Sequence, residues 1–164
     1  MLPNPSSHSL FTTYTDADFA GNPDNSRSTG GYVVKMGTGA ISWSSRLQSF
    51  VALSTTEAEF VASTSAGQEI LWLRNLFHEF GYTHPSASPL FIDNHSALSV
   101  AKNPKHHGRM KHLDLHFYYL RDEVAKGTIN ITHIPTDVMA ADILTKALGS
   151  VKVLRMIGML GLRK

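Results

Sequence analysis

The stretch Leu53-Ser54-Thr55-Thr56-Glu57-Ala58-Glu59-Phe60 opens the longest segment of the chain in which apolar residues recur at helical spacing. Ser54 followed three residues later by Glu57 is the capping-box pattern, in which a serine hydroxyl and a glutamate carboxylate each satisfy a free backbone N–H group at a helix start. The pattern predicts a helix that begins near residue 54 and continues to about residue 80. Gly81 is the residue expected to end it.

The two glutamates of this stretch are predicted to point in different directions, because residues two apart on an α-helix diverge by about 200°. Glu59 is in line with an apolar stripe at heptad spacing, formed by Ala62, Ala66, Ile70, Leu73, Phe77 and Phe80. Glu57 is expected on the far side of the helix, in a capping role. A carboxylate on a buried stripe is costly unless it is neutralised, paired or bound to a metal, so Glu59 is the first candidate site residue.

Composition predicts one globular domain, since 164 residues with 42% hydrophobic and 17% charged residues can bury a sizeable core. The absence of cysteine excludes a disulfide scaffold and a thiolate zinc site. No run of 18 apolar residues occurs and the N-terminal residues lack the features of a signal peptide, so a soluble, untargeted protein is expected. A formal net charge of +2 is compatible with a polyanionic partner and is weak support for one.

The order of predicted strands and helices indicates an α/β domain. Strand patterns occur at residues 10–14, 31–36, 40–44, 90–92 and 129–134. Helical patterns occur at residues 54–80, 94–102, 113–124, 140–144 and 154–162, with Asp137 as the expected N-cap of the fourth. The order β-β-β-α-β-α-α-β-α predicts an antiparallel meander, extended through helical crossovers into a mixed sheet.

Four carboxylates occupy comparable places in this order: Asp16 where the first strand ends, Glu59 early in the long helix, Asp93 after the fourth strand and Asp142 at the start of a late helix. Three or four acids can hold two Mg²⁺ ions, and such a pair can activate a water molecule and stabilise the leaving oxygen of a phosphodiester. Taken singly, each aspartate is equally well a cap, a turn former or a helix-dipole partner. Composition and spacing therefore predict a carboxylate metal site and leave its reaction open.

Seven motifs carry a more specific signal. In chain order they are YTDADFAG (14–21), RSTGGY (27–32), ISWSS (41–45), LSTTEAEF (53–60), IDN (92–94), KHLD (111–114) and ADILTK (141–146). Together they resemble the ribonuclease H domain of Copia-type (pseudoviral) LTR retrotransposon Pol polyproteins, over nearly the whole chain. The resemblance implies a linker at residues 1–8, the domain at 9–149 and a C-terminal helical tail at 150–164.

The resemblance further implies a ribonuclease H-like fold, with a five-stranded mixed sheet flanked by helices, and endonucleolytic cleavage of the RNA strand of RNA–DNA hybrids. Asp16, Glu59, Asp93 and Asp142 match the family's catalytic and metal-binding acids, which hold two Mg²⁺ ions, with Mn²⁺ as a substitute. The implied partners are an RNA–DNA hybrid and the reverse transcriptase domain of the same polyprotein. A monomer without a membrane partner is expected, in the cytoplasm within a virus-like particle or in the nucleus.

Basic and polar positions of the same motifs are the candidates for contact with nucleic acid: Arg27, Ser28, Thr29, Asn94, Arg109, Lys111 and His112. The alternative for the loop at 105–109 is a solvated basic segment without a ligand. His133 lies nine residues before Asp142, near the place of a mobile histidine in many ribonucleases H, but its predicted strand favours a structural role. Any role of His116 is in doubt because relatives more often carry Arg-Tyr-His at this motif.

Three functional hypotheses remain at the level of sequence. The leading one is an active, Mg²⁺-dependent hybrid ribonuclease. The second is a catalytically silent domain of a domesticated retrotransposon that binds nucleic acid or protein, and the third is another nuclease or integrase of the same fold. Retention of all four acids favours the enzyme, because a binding module has no use for clustered, buried negative charge.

Overall fold

The computed structural model of the protein describes residues 9–83, 86–102 and 114–162. Within these ranges the strands are β1 (Phe11–Asp18), β2 (Thr29–Met36), β3 (Gly39–Leu47), β4 (Ser88–Ile92) and β5 (Ile129–His133). The helices are α1 (Thr55–Glu79), α2 (His95–Lys102), α3 (Asp114–Ala125), α4 (Asp142–Thr145) and α5 (Ser150–Met159), with a 3₁₀ turn at Thr136–Val138. None of the helices in this part of the chain has the length and apolar character needed to cross a membrane.

The strands form one mixed sheet in the order β3-β2-β1-β4-β5. β1, β2 and β3 are antiparallel neighbours, and Gly37 turns the chain between the last two with a φ of +60°. β4 lies parallel to both β1 and β5, as helical crossovers require. The predicted meander and the five-stranded mixed sheet are confirmed.

The first strand extends further than its residue pattern predicts. The pattern places the strand end at the first acids, whereas β1 continues to Asp18 and Asp16 lies inside it. Pairing of Asp16 with Gly31 and of Asp18 with Thr29 continues the ladder with β2. Tertiary pairing therefore outweighs the low strand propensity of aspartate.

Helices cover both faces of the sheet, and neighbouring residues of one strand point to opposite faces. Leu90 packs with Phe60, Ile70 and Leu120 in the core beneath α1, α2 and α3. Phe91 faces the other way, into a second core closed by α4, α5 and the chain before them. The buried residues of this second core are Tyr14, Val33, Phe91, Ile134, Met139, Ala140, Ala141 and Leu160.

The first turn of α1 is capped as the sequence predicts. Ser54 is the N-cap, and its hydroxyl accepts a hydrogen bond from the Glu57 N–H at 3.1 Å. The Glu57 carboxylate accepts a hydrogen bond from the N–H of Leu53 at 2.8 Å, one residue before the N-cap. Gly81 follows the helix with a φ of +84°, a conformation that glycine adopts without steric cost.

Glu57 and Phe80 depart from the exposure that the helical pattern predicts. Glu57 is only 1% exposed, because the entering chain folds back and binds its carboxylate at the Leu53 N–H, so the residue is not on a solvated side. Phe80, the C-cap residue directly after α1, is 67% exposed although the pattern places it on the buried stripe.

The chain between β5 and α5 also departs from the prediction. Asp137 does not cap a helix but lies in the 3₁₀ turn, where it pairs with Arg155 at 3.4 Å. Met139, Ala140 and Ala141 are fully buried, so core packing rather than helix propensity sets the path of the chain here. α4 has four residues, and α5 begins at residue 150, four residues before the expected start.

β4 likewise begins earlier than predicted, at Ser88, and includes Pro89. Pro89 precedes the first residue of β4 that pairs with β1, where the lack of an N–H group is tolerated.

α5 and the residues after it pack against the sheet. Met156 is fully buried, and the Leu160 carbonyl accepts a hydrogen bond from the Ala40 N–H at 3.1 Å. Gly161 has a φ of +74°, and a Cβ at this position would lie 2.1 Å from the Thr38 carbonyl oxygen. The close contact therefore requires glycine, and it joins the end of the described chain to the turn between β2 and β3.

Candidate metal centre

Three of the four predicted acids meet at one end of the sheet. One carboxylate oxygen from each of Asp16, Glu59 and Asp93 lies within 4.8 Å of the other two. Asp16 is fully buried and Glu59 is 3% exposed, while Asp93 is half-buried. Oxygen ligands are those that Mg²⁺ and Mn²⁺ prefer, so the group has the composition of a site for such ions.

The fold explains why acids distant in the sequence converge. β1 and β4 are parallel neighbours, so Asp16 near the end of β1 and Asp93 directly after β4 lie at the same end of the sheet. Glu59 comes from the start of the second turn of α1, which packs on β1. The contact is made by small side chains, which allow a close approach: Ala17, Ala52, Ala58 and Ala62.

Gly31, which pairs with Asp16 across β1 and β2, lets α4 approach the sheet. A Cβ at this position would lie 2.9 Å from Thr145 Cγ2 and 3.0 Å from Leu144 Cβ. Because glycine leaves this space free, Thr145 reaches Asp16 and its hydroxyl donates a short hydrogen bond to Asp16 Oδ2.

Glu59 stands in surroundings that disfavour a charge. Its Oε2 atom is buried and has no hydrogen-bond partner among the residues that the structure describes. Burial, reinforced by the negative charges of Asp16 and Asp93, raises the pKa of Glu59 to about 9, although Lys146 and a hydrogen bond with the Ala17 backbone act in the opposite direction. The free carboxyl group is therefore protonated at neutral pH. The unpartnered oxygen and the raised pKa of Glu59 are the properties expected of a ligand for a divalent cation, which would take the place of the proton.

Asp142 is joined to this group through lysine. Lys146 Nζ lies 3.0 Å from Asp16 Oδ1 and 3.2 Å from Asp142 Oδ1. Lys152 Nζ forms a short ion pair with Oδ2, the other carboxylate oxygen of Asp142. Asp142 is fully buried, so the two ammonium groups supply the positive charge that its burial requires. The fourth acid thus lies beside the group of three, next to Asp16.

The pKa values of Asp16 and Lys146 follow from this contact. Burial raises the pKa of Asp16, and the hydrogen bond from Thr145 and the charge of Lys146 offset the rise only in part. Burial alone would lower the pKa of Lys146, but the charges and hydrogen bonds of Asp16 and Asp142 raise it above the usual lysine value. Lys146 is therefore an ammonium ion at neutral pH.

Asp93 is held by the segment that follows β5. The Thr136 hydroxyl donates a hydrogen bond to Asp93 Oδ2 at 2.7 Å. His133 Nε2 lies 3.2 Å from the Asp93 carbonyl oxygen, and its ring stacks on that of His95 with the ring centroids 3.5 Å apart. These contacts place His133 beside Asp93, and its structural role stays a prediction.

An open groove of about 480 Å³ gives access to the acids. Besides Glu59 and Asp93, its lining residues are Ala17, Asp18, Phe19, Thr55, Asn94, His95, Thr136 and Lys146. The site is therefore open to a large ligand on one side and closed by the sheet on the other.

The residues predicted to contact nucleic acid near β2 are in different surroundings. Ser28 is fully buried and its hydroxyl accepts a hydrogen bond from the Ala20 N–H at 3.1 Å, so it braces the loop after β1. A direct contact of Ser28 with phosphate does not fit this burial. Arg27 and Thr29 on either side of it are half-exposed.

Asn94 borders the groove and also caps α2, since its Oδ1 accepts hydrogen bonds from the N–H groups of Ser96 at 2.8 Å and Ala97 at 3.1 Å. The other candidates, Arg109, Lys111 and His112, lie outside the described residues, as does the His116 side chain.

Four further residues of the site were not identified from the sequence, because the motifs point only to the acids. Lys146 is visible in retrospect, because it lies four residues after Asp142 and thus on the same helical face. Lys152 and Thr136 have no local signal, since the chain must turn before either reaches its acid. Thr145 reaches Asp16 only because the partner strand carries glycine.

Comparison with solved structures defines the class of this fold. The N-terminal RNase H domain of a Mycobacterium tuberculosis protein, solved as a fusion with maltose-binding protein, matches with a TM-score of 0.59 at 14% identity, over 88% of this chain and 96% of that chain. LC11-RNase H1 in complex with an RNA/DNA hybrid matches with a TM-score of 0.55 at 18% identity, over 82% of this chain and 93% of that chain. The protein has the ribonuclease H fold, as its motifs predict.

No protein-family model matches the chain. The retrovirus-related Pol polyprotein from transposon TNT 1-94 of Nicotiana tabacum is 43% identical over 133 residues, which are 81% of this chain and 10% of the relative. The one from transposon RE2 of Arabidopsis thaliana is 38% identical over 138 residues, 84% of this chain and 10% of the relative. The chain belongs to the Copia-type retrovirus-related Pol sequences, and it spans about a tenth of the length of these relatives.

Proposed function

We propose that the protein is a ribonuclease H that cleaves the RNA strand of RNA–DNA hybrids endonucleolytically, with two divalent cations. The observation that carries the proposal is the convergence of Asp16, Glu59 and Asp93 within 4.8 Å, together with a buried Glu59 oxygen that has no hydrogen-bond partner in the described part of the chain. The ribonuclease H fold and the Pol polyprotein relatives support this choice among the reactions that such a site could perform.

Asp16, Glu59 and Asp93 would hold one cation, and Asp16 with Asp142 a second. Bound there, Mg²⁺ or Mn²⁺ would supply a hydroxide for in-line attack on the scissile phosphate and stabilise the departing 3′ oxygen, so that products carry a 5′-phosphate. Thr145 fixes Asp16 and Thr136 fixes Asp93, so these carboxylates are oriented in advance. Glu59 would give up its proton when the site is loaded.

The groove beside the acids would receive the hybrid. Asn94 and Thr55 present polar groups there, and Phe19 an aromatic ring. Selectivity for RNA would come from contacts with 2′-hydroxyl groups in the minor groove, while the DNA strand is held through its phosphates. The phosphate-contact candidates are Arg27, Thr29, Arg109, Lys111 and His112.

The biological setting is part of the proposal. The domain would act beside the reverse transcriptase domain of the same polyprotein during reverse transcription, as a single copy within a cytoplasmic virus-like particle. Its support is that the relatives are Pol polyproteins and that the chain spans about a tenth of their length.

The test uses a labelled RNA–DNA hybrid, duplex DNA and duplex RNA with Mg²⁺. We expect cleavage of the hybrid RNA alone, and its loss in Asp93→Asn. Asp122→Asn is the matched control, because Asp122 is an exposed acid of α3 that pairs with Lys126 away from the site. Failure of the folded protein to cut the hybrid, or equal cleavage by Asp93→Asn, would overturn the proposal in favour of a catalytically silent binding domain.

A further inference from the structure

Lys146 holds a position that the proposed reaction does not explain. Its ammonium group lies between Asp16 and Asp142, at 3.0 Å and 3.2 Å from one oxygen of each. These are the two acids that would share the second divalent cation. A positive charge of the protein itself thus stands where that cation would be held.

We propose that Lys146 is a built-in cation of the site: it neutralises Asp16 and Asp142 while no more than one divalent ion is bound, and the second ion binds only by displacing it. The inference rests on the proposed function, because it concerns the second of the two ions. It makes Lys146 a positioning residue that sets the order in which the ions bind.

The distribution of charge supports an ordered loading. In the described part of the chain, the ion pairs of the site all fall on Asp16 and Asp142, and none is made to Glu59 or Asp93. No ammonium group is therefore paired with Glu59 or Asp93 in the described part of the chain, and the first ion is expected on their side of the site. The other half is already neutralised, so a second ion gains only the difference between its own attraction and that of the ammonium group.

The position of Lys146 also allows displacement. Its side chain is 33% exposed and borders the groove, so its flexible stem can move the ammonium group outward without a shift of α4. Lys152 would remain beside Asp142 and keep that buried acid paired. In the groove, the displaced ammonium group could be neutralised by a phosphate of the substrate.

The direct test is calorimetric titration of the metal-free protein with MnCl₂. We expect one strong and one weak site in the native chain, a second site strengthened at least about tenfold in Lys146→Met, and native behaviour in Lys146→Arg, which keeps the charge. Lys126→Met is the matched control, because Lys126 also pairs with two acids but lies on α3's exposed side. Equal second-site affinity in the native chain and Lys146→Met, or loss of the second site in that variant, would overturn the inference.

Thermal melting gives a second readout that a merely structural lysine would not move in the same way. Without metal, Lys146→Met should melt lower than the native chain, because two buried acids lose their shared counter-charge. MnCl₂ should raise its melting temperature by more than that of the native chain, and an equal rise would count against the inference. If Lys146→Met folds only with metal, the Mn²⁺ that each chain retains after desalting is measured instead. We expect two ions per chain in Lys146→Met and one in the native chain. One ion per chain in Lys146→Met would refute the inference.

The outcomes separate this inference from the proposed function. If Mn²⁺ binding changes as expected in Lys146→Met but the native chain does not cleave the hybrid, the inference about Lys146 is supported and the proposed nuclease activity is refuted. Hybrid cleavage by the native chain, with Mn²⁺ binding unchanged in Lys146→Met, would support the nuclease and refute the inference about Lys146.

Discussion

Glu57 and Glu59 stand two residues apart at the start of α1, both are buried, and their surroundings are opposite. The Glu57 carboxylate accepts a hydrogen bond from the Leu53 N–H at 2.8 Å, within the local turn that starts the helix. Glu59 reaches the end of the sheet, where its Oε2 has no partner and two other carboxylates lie within 4.8 Å. A buried carboxylate is stable as an anion only when donors or cations meet it. One glutamate is therefore completed by its own backbone, and the other is suited to a cation from outside.

The difference shows that burial does not by itself mark a functional acid. Glu57 and Glu59 are 1% and 3% exposed, so exposure cannot distinguish them. What distinguishes them is whether their polar atoms are satisfied, since an unsatisfied buried group in a native protein calls for a specific explanation. Four experiments, on substituted chains or across a range of pH, test this difference between the two glutamates.

The largest effect is expected from Glu59→Gln on activity. Loss of a metal-binding carboxylate should lower the rate of hybrid cleavage by about a thousandfold or more, because several kcal/mol of transition-state stabilisation depend on the ions. Steady-state cleavage of a labelled hybrid at saturating Mg²⁺ measures it. Glu57→Gln should keep the rate within about tenfold of the native value. Equal losses in the two variants would erase the distinction between the glutamates.

The second effect is a fall in metal-free stability with rising pH. The pKa of Glu59 is about 9 in the folded protein and about 4.3 in an unfolded chain, so the folded state retains a proton that the unfolded state releases. Between these values the free energy of unfolding decreases as pH rises, by up to about 1.4 kcal/mol per pH unit. We expect a decrease on the order of 3 kcal/mol from about pH 5 to about pH 8, to which the raised pKa of Asp16 adds in the same direction.

Urea unfolding in the presence of EDTA measures this decrease. Glu59→Gln cannot ionise and should show a clearly flatter pH dependence than the native chain, with Glu57→Gln as the matched comparison. A native slope that persists unchanged in Glu59→Gln would show that Glu59 is not the group that holds the proton.

The third effect is a loss of stability in Glu57→Gln of roughly 2 kcal/mol, because the new amide places N–H donors in a buried position built for an acceptor. Urea unfolding at neutral pH without metal measures it. In the same conditions Glu59→Gln should be as stable as the native chain or more so. If Glu59→Gln proves the less stable of the two, the roles assigned to the two glutamates are reversed.

The smallest effect belongs to Ser54→Ala. Removal of the hydroxyl that accepts from the Glu57 N–H should cost about 1 kcal/mol of stability, the usual value for an N-cap serine. Hybrid cleavage by the folded variant should be unchanged. Ser65→Ala, which removes a hydroxyl from an exposed position within α1, is the control and should cost less. If Ser54→Ala loses cleavage without losing stability, the Ser54 hydroxyl acts in the reaction and not only as a helix cap.

Sequence patterns correctly predicted those features of the structure that depend on contacts between residues close in the chain. The capping box located the start of α1 to the residue, because its two hydrogen bonds join residues at most four apart. Gly81 marked the end of α1, because the left-handed conformation that ends a helix is a local property of the chain. The places of the four acids in the predicted order of strands and helices indicated a metal site, the family motifs agreed with it, and the structure brings Asp16, Glu59 and Asp93 within 4.8 Å of one another. Their roles as metal ligands are still a prediction.

Other features had no local signal. The burial of Glu57 depends on the path of the chain before α1, and Asp137 failed as a cap because the buried run Met139 to Ala141 held the chain in another conformation. The sequence made Ser28 a candidate for phosphate contact because it gives no sign that the hydroxyl is buried and accepts a hydrogen bond from the Ala20 N–H. Each error concerns what a residue meets across the fold.

Residue order alone therefore established the helix that carries Glu59, the alternation of strands and helices, and the family to which the chain belongs, since these depend on short-range spacing and on motifs. Tertiary structure alone decided that Glu59 Oε2 has no hydrogen-bond partner among the described residues while the Glu57 carboxylate has one, and that Lys146 stands between Asp16 and Asp142. The physical reason is that the state of a buried charge depends on every group that the fold brings within a few ångströms, and most of those groups come from distant parts of the chain.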